Sequence, residues 1–227
     1  MGPERQNPYN RPVTTESREA PPMPATDPWR RQDYDAVLFD CDGTLADTMP
    51  AHFIAWMHVT RLHGLDFDEE RFYALGGRPS RDIVDLLANE AGIAVDLDDA
   101  VRLKEQTFLE RLGEVRAIDP VVDVARRLAG RIPIAVVTGG HREVCRRVLE
   151  HVGIGDLFDT LVASEDTQLH KPEPEPFLEA AARLNAEPAR CVVWEDSDLG
   201  IEAARRAGMT WIDVRSFHAP RRTASSG

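Results

Sequence analysis

The sequence predicts an α/β fold, a doubly wound parallel sheet interrupted after its first strand by an all-helical segment. Three observations lead there. Short apolar runs recur at 36–39, 134–137, 161–163, 191–194 and 211–214, the spacing of strands that alternate with helices. Helical patterns precede or separate the last four of these runs, and such alternation pairs strands in parallel with helices on both faces. Between the first run and the second, residues 47–119 carry helical patterns and no strand.

Taken in order, the first strand runs directly into Asp40-Cys41-Asp42-Gly43-Thr44. In the insert, helices are expected at 51–62, 80–91 and 98–112. The first starts near Pro50, a residue suited to an opening helical turn. Thr48, His52 and Trp56 then recur every four residues along one face. The second follows a glycine-rich turn, Leu75-Gly76-Gly77-Arg78-Pro79-Ser80-Arg81, with Ser80 placed to cap it. Exposed amides around Gly77 could hold an anion, and Arg78 and Arg81 add planar donors, although two solvated arginines fit as well. The third carries Lys104, expected at the surface, with a substrate contact as the alternative. A segment this long is not needed to join neighbouring strands, so it reads as a cap over the strand ends, hinged near 46–48 and 117–120.

After the insert come helices at 121–128, 143–151 ending near Gly153, 176–184, and 199–207 closed by Gly208. The expected organisation is a disordered leader at 1–32, a core of 33–46 and 120–217, a cap of 47–119 and a flexible tail at 218–227. The leader holds seven of the sixteen prolines and no apolar periodicity, which argues against packing. Its interspersed acids Glu4, Glu16, Glu19 and Asp27 count against a transit peptide.

A net charge of −12 disfavours nucleic acid and anionic lipid as partners. No apolar run approaches the roughly 18 residues a membrane helix needs, so no membrane contact is expected, nor is an obligate protein partner evident. Cys41, Cys145 and Cys191 lack metal-type spacing and read as free thiols of a reducing compartment, with the cytoplasm as the default.

The chemistry is concentrated where the strands end. Side chains alternate along a strand, so Asp40 and Asp42 share one pocket while Cys41 points away. Two carboxylates that close repel each other and any phosphate, and a divalent cation between them resolves this; oxygen ligands favour Mg²⁺. One carboxylate can then attack phosphorus while the other manages protons. Read alone, the string also suits a calcium loop or a solvated turn. Thr138, after the strand at 134–137, and Glu195-Asp196, after that at 191–194, fall at carboxyl ends of the same sheet, where ligands of such folds collect. Thr138 also suits a turn hydroxyl, and Glu195-Asp196 a helix N-terminal turn with Asp198 as cap.

Asp40-x-Asp42-Gly43-Thr44, then Thr138, then Lys171 in His170-Lys171-Pro172, then Glu195-Asp196 resemble the four ordered motifs of the haloacid dehalogenase superfamily. The details Asp47-Thr48-x-x-x-His52-x-x-x-Trp56 and Gly200-Ile201-x-Ala203-Ala204 are similar to its branch of beta-phosphoglucomutases and sugar-phosphate phosphatases. The resemblance implies a Rossmann-like core and a Mg²⁺ held by Asp40, the Asp42 backbone carbonyl and Asp196, with Glu195 in or just behind that set. It further implies Asp40 as nucleophile, Asp42 as general acid and base, and Lys171, Thr138 and Gly139 around the phosphoryl group. Thr44, His52, Gly77, Arg78 and Arg81 are the remaining expected substrate contacts, His52 coupling the cap to Asp42. The expected function is hydrolysis of small phosphorylated sugars or sugar acids. The alternatives are a beta-phosphoglucomutase and a non-catalytic metabolite-binding protein. The sequence Gly139-Gly140-His141 departs from the mutases and mildly favours hydrolysis.

Overall fold

The computed structural model describes residues 34–223; the leader expected at 1–32 lies outside them. Five parallel strands, β1 (Ala36–Phe39), β2 (Ile134–Val137), β3 (Thr160–Val162), β4 (Cys191–Glu195) and β5 (Thr210–Asp213), form one sheet in the order β3-β2-β1-β4-β5. β1, β2 and β4 are buried along their whole length, which is why their sequences are continuously apolar rather than alternating.

Period-two geometry divides each strand between two cores. Val37, Phe39, Ile134, Val136, Val192 and Trp194 face one apolar cluster, covered by α5 (Asp119–Leu128) and α6 (Arg142–His151). Their neighbours Ala36, Leu38, Ala135, Val137, Cys191 and Val193 face the other, covered by α7 (Glu175–Arg183) and α8 (Asp198–Arg206). The sheet is therefore doubly wound. The observed strands and helices differ from the expected spans by at most three residues at their ends, as frayed termini do; the largest difference is the helix expected at 98–112, which ends at Leu109 before a separate 3-10 turn at Leu112–Glu114.

The insert holds α1 (Met49–His63), α2 (Glu69–Ala74), α3 (Ser80–Ala91) and α4 (Leu97–Leu109). These enclose their own cluster, with Trp56, Val59, Phe72, Ile83, Leu87 and Val101 among its members. α2 was not expected: six residues are too few for a legible helical period, and the Asp68 side chain that caps it by accepting from the Arg71 N–H at 2.7 Å gives its only local signal. Ser80, expected as a cap, is instead the first residue of α3, with Pro79 at the cap position and no side-chain cap bond. Where the chain enters and leaves the insert, Ala46 pairs antiparallel with Ala117, and the Ile118 N–H donates to the Leu45 carbonyl at 3.0 Å. No helix among the described residues is long and apolar enough to cross a membrane.

Candidate active site

The strand order reverses direction about β1, with β2 on one side and β4 on the other, and open sheets of this kind leave a crevice at such a point. Here the crevice is a cleft of about 280 Å³ between the sheet and the insert, lined by Asp40, Asp42, Thr138, Glu195 and Asp196 from three strand ends. The loop after β1 is tight. Cys41 accepts from the N–H groups of Leu45 and Ala46, both at 3.0 Å, and Gly43 adopts φ +86°. A β-carbon at Gly43 would also overlap the Asp196 carboxylate, so this turn both needs a left-handed residue and leaves no room for a side chain. Cys41 is buried in the core, as alternation requires.

Asp40 and Asp42 share the cleft but have different partners. The Lys171 ammonium donates to Asp40 Oδ1 and Glu195 Oε2, both at 2.7 Å, and to the Val137 carbonyl at 3.1 Å. The other Glu195 oxygen accepts from the Asp196 and Ser197 N–H groups and from the Ser197 hydroxyl. Glu195 thus anchors Lys171 to the strand end. A β-carbon on Gly200 would overlap its carboxylate, so α8 approaches closely because that position is glycine.

Asp42 turns toward the insert. Its Oδ1 accepts from the Thr48 hydroxyl at 2.7 Å and lies 3.1 Å from His52 Nε2, while Thr138 Oγ1 reaches its Oδ2 at 3.5 Å. Burial pushes Asp42 upward, but His52, by its charge when protonated, and the His52 and Thr48 hydrogen bonds outweigh it and hold the carboxyl below its ordinary value. Burial and the Lys104 charge hold His52 below the usual imidazole value, so the ring is neutral at neutral pH. The lowering of Asp42 then rests on the two hydrogen bonds it accepts. Nδ1 is buried without a partner among the described residues, a better place for a lone pair than for an N–H, so Nε2 carries the proton. The ring stacks on Phe108 with centroids 3.7 Å apart.

Asp40, Glu195 and Asp196 bring carboxylate oxygens within 4.8 Å of one another, all buried. Burial raises Asp40 to about 8, with the Glu195 charge adding and the Lys171 charge opposing. Burial, then Glu195 and Asp40, likewise push Asp196 well above the ordinary carboxylate range. Three acids around one ammonium thus hold extra protons in the metal-free cleft, and a small hard cation fits in their place, in donor type and in charge.

Other expected contacts divide. Gly77, Arg78, His52 and Gly139 line the cleft. Gly139 and Gly77 come so close that a β-carbon on Gly139 would overlap the Gly77 carbonyl oxygen. Arg81 does not join them: it is half-exposed, pairs with Asp98 and lines a separate surface depression. Its position in the first turn of α3 directs it along the helix surface toward α4. Thr44, expected to touch substrate, is fully buried behind the cleft and donates to Asp196 Oδ1 at 3.2 Å.

Lys104 corrects the expectation of a surface lysine. It is 6% exposed, lines the cleft, and its ammonium lies 5.5 Å from the Trp56 ring centroid. The signal was available, because Ala100, Val101, Lys104 and Phe108 fall on the buried face of α4 at helical spacing. Pro220 and Arg222, which also line the cleft, gave none. They fall in the stretch expected as a flexible tail, yet residues 221–223 bond to the insert.

The sequence family described as haloacid dehalogenase-like hydrolase matches residues 34–208. Fructose-1-phosphate phosphatase YqaB of Escherichia coli is 39% identical over 186 residues, covering 80% of this chain and 97% of that protein. Beta-phosphoglucomutase of Bacillus subtilis is 27% identical over 188 residues, covering 79% and 82%. Among solved structures, beta-phosphoglucomutase from Clostridium difficile shares the fold with a TM-score of 0.72 at 24% identity, covering 78% of this chain and 83% of that one.

Proposed function

The chain belongs to the haloacid dehalogenase-like hydrolases, and on that premise we propose that it is a Mg²⁺-dependent phosphatase of small sugar phosphates or phosphorylated sugar acids, acting through a phosphoryl group carried on Asp40. The observation that carries the reading is the division of labour between two carboxylates in one cleft, Asp40 fastened to Lys171 and Asp42 to Thr48 and His52.

Asp40, Asp196 and the Asp42 backbone carbonyl would hold Mg²⁺, with Glu195 beside them; when bound, the ion offsets their charge and polarises a phosphoryl oxygen. Lys171 fixes one Asp40 oxygen and leaves the other to attack phosphorus, forming the Asp40–phosphorus bond as the ester bond breaks. The departing alkoxide takes its proton from Asp42. Although the carboxyl is held ionised in the free cleft, an anionic phosphate beside it raises its affinity for a proton, as that role requires. Water then attacks phosphorus, gives a proton to Asp42, and releases Asp40 and inorganic phosphate. The Thr138 hydroxyl and Gly139 amide would donate to the phosphoryl oxygens as charge spreads over them.

Lys104, Arg78 and Arg222 supply the local positive charge that an anionic substrate needs in a chain of net charge −12. The cap assignment of 47–119 belongs to this proposal: the insert closes one side of the cleft and sets which sugar enters. A mutase is the second reading, favoured by the His52–Asp42 contact and by cations on the insert side able to hold a second phosphate. The test is a panel of phosphorylated sugars with Mg²⁺, including fructose 1-phosphate and bisphosphate-primed beta-glucose 1-phosphate, followed for inorganic phosphate and isomerised product. Phosphate release that disappears in Asp40→Asn supports hydrolysis. Isomer with little free phosphate favours the mutase. No product from any compound defeats both.

A further inference from the structure

The last described residues cross back to the insert and complete the wall of the cleft. Tyr73 Oη donates to the Arg221 carbonyl at 2.7 Å, and the Arg221 guanidinium pairs with Asp47 where the insert begins. Glu69 Oε1 accepts from the Thr223 N–H at 2.8 Å and from the Thr223 hydroxyl at 2.9 Å. Held between these points, Arg222 lines the cleft with its guanidinium carbon 5.0 Å from the Tyr73 ring centroid.

We propose that Arg222 is a specificity-determining residue that binds an anionic group on the substrate's far end, away from the transferring phosphate, and that the bonds of 221 and 223 place it there. The inference rests on the phosphatase reading. A guanidinium stacked on a ring keeps its in-plane N–H donors available for a carboxylate or phosphate. Among the described residues Arg222 has no ion-pair partner. Two of the other cations lining the cleft are engaged, Lys171 with Asp40 and Glu195 and Arg215 with Asp213 and Asp198, while Arg78 and Lys104 line it as well. A second anion entering a cleft lined by six carboxylates needs its own counter-charge. Arg222 also lies beyond residues 34–208, the part matched by the family, which suits a role in substrate choice rather than in phosphoryl transfer.

The test compares glucose 6-phosphate, 6-phosphogluconate and fructose 1,6-bisphosphate as substrates of the wild type, Arg222→Gln and a chain ending at Ala219. The expected result is that kcat/KM for one of the doubly anionic compounds, relative to glucose 6-phosphate, falls about tenfold in both variants, mainly through KM. The compound affected tells whether the far group is a carboxylate or a phosphate. Because the readout is a ratio, general loss of folded protein does not move it. Ratios unchanged in both arms of an active enzyme overturn the assignment and leave the phosphatase reading standing. Calorimetric binding of the same compounds to Asp40→Asn and Asp40→Asn/Arg222→Gln separates the other case: an inert wild type whose binding preference still depends on Arg222 defeats the phosphatase reading alone.

Discussion

Replacing Lys171 by methionine isolates the charge at the centre of the site. Methionine keeps most of the side-chain volume and can retain the contact with Phe177, whose ring centroid lies 5.1 Å from the ammonium. What disappears is a buried cation, 3% exposed, held at 2.7 Å from both Asp40 and Glu195. Burial alone would lower its pKa, yet the two carboxylates raise it above the ordinary lysine value, so it is charged throughout the neutral range. Two unit charges about 4 Å apart interact by about 4 kcal/mol at an effective dielectric of about 20. Removing one member of a buried pair costs about 3–5 kcal/mol. Asp40, near pKa 8, already holds its proton for the most part at pH 7, so Glu195 is the charge left unpaired and the expected loss in metal-free protein is about 3 kcal/mol. For a chain of this length that is a fall of about 6–12 °C in Tm. Urea unfolding of the wild type, Lys171→Met, Glu195→Gln and the double variant measures it. The two substitutions should be far less than additive, because removing Glu195's charge also removes much of what Lys171 compensates. A loss under about 1 kcal/mol, or additive effects, would refute the claim that this triad holds the site together. With Mg²⁺ present, kcat should fall about 10²–10³-fold.

Three further outcomes are expected. Thr44→Val removes the donor behind Asp196 and should weaken Mg²⁺ binding about 10–100-fold by titration calorimetry; unchanged affinity would separate Asp196 from the metal. Gly139→Ala forces the Gly77 backbone away and should lower kcat/KM about 10²-fold with little change in unfolding free energy, because the insert rather than the core gives way. Asp42 carries a folded pKa below its ordinary 3.8, so its bonds add stability present above pH 3.8 and lost as the pH falls through the lower folded value. Thr48→Val should therefore be about 1 kcal/mol less stable than the wild type at pH 7, with the gap closing at acid pH in urea unfolding. A gap that does not change with pH would place the bond elsewhere.

Asp40, Thr138 and Glu195-Asp196 were readable in the sequence because each sits where a strand ends, and a parallel sheet collects strand ends on one edge; Lys171, in the loop between β3 and α7, rested on the motif resemblance. Asp40, Thr138 and Glu195 needed no knowledge of loop geometry. Arg81 and Thr44 lie away from the cleft for the converse reason. One is turned along a helix surface to Asp98, the other is packed behind Asp196, and neither direction follows from position in the chain. Lys104 lay between these cases, since its helical phase marked it as buried but its charge argued otherwise.

The sequence by itself determined the alternation of strand and helix, the insertion point and the carboxylates at the sheet edge, because hydrophobic period and strand pleat are local properties. Only the tertiary structure decided which partner each carboxylate meets, which cations of the insert face the cleft and that 220–223 closes it. Those contacts join residues up to 174 positions apart, and their geometry depends on how separate elements pack rather than on any local pattern.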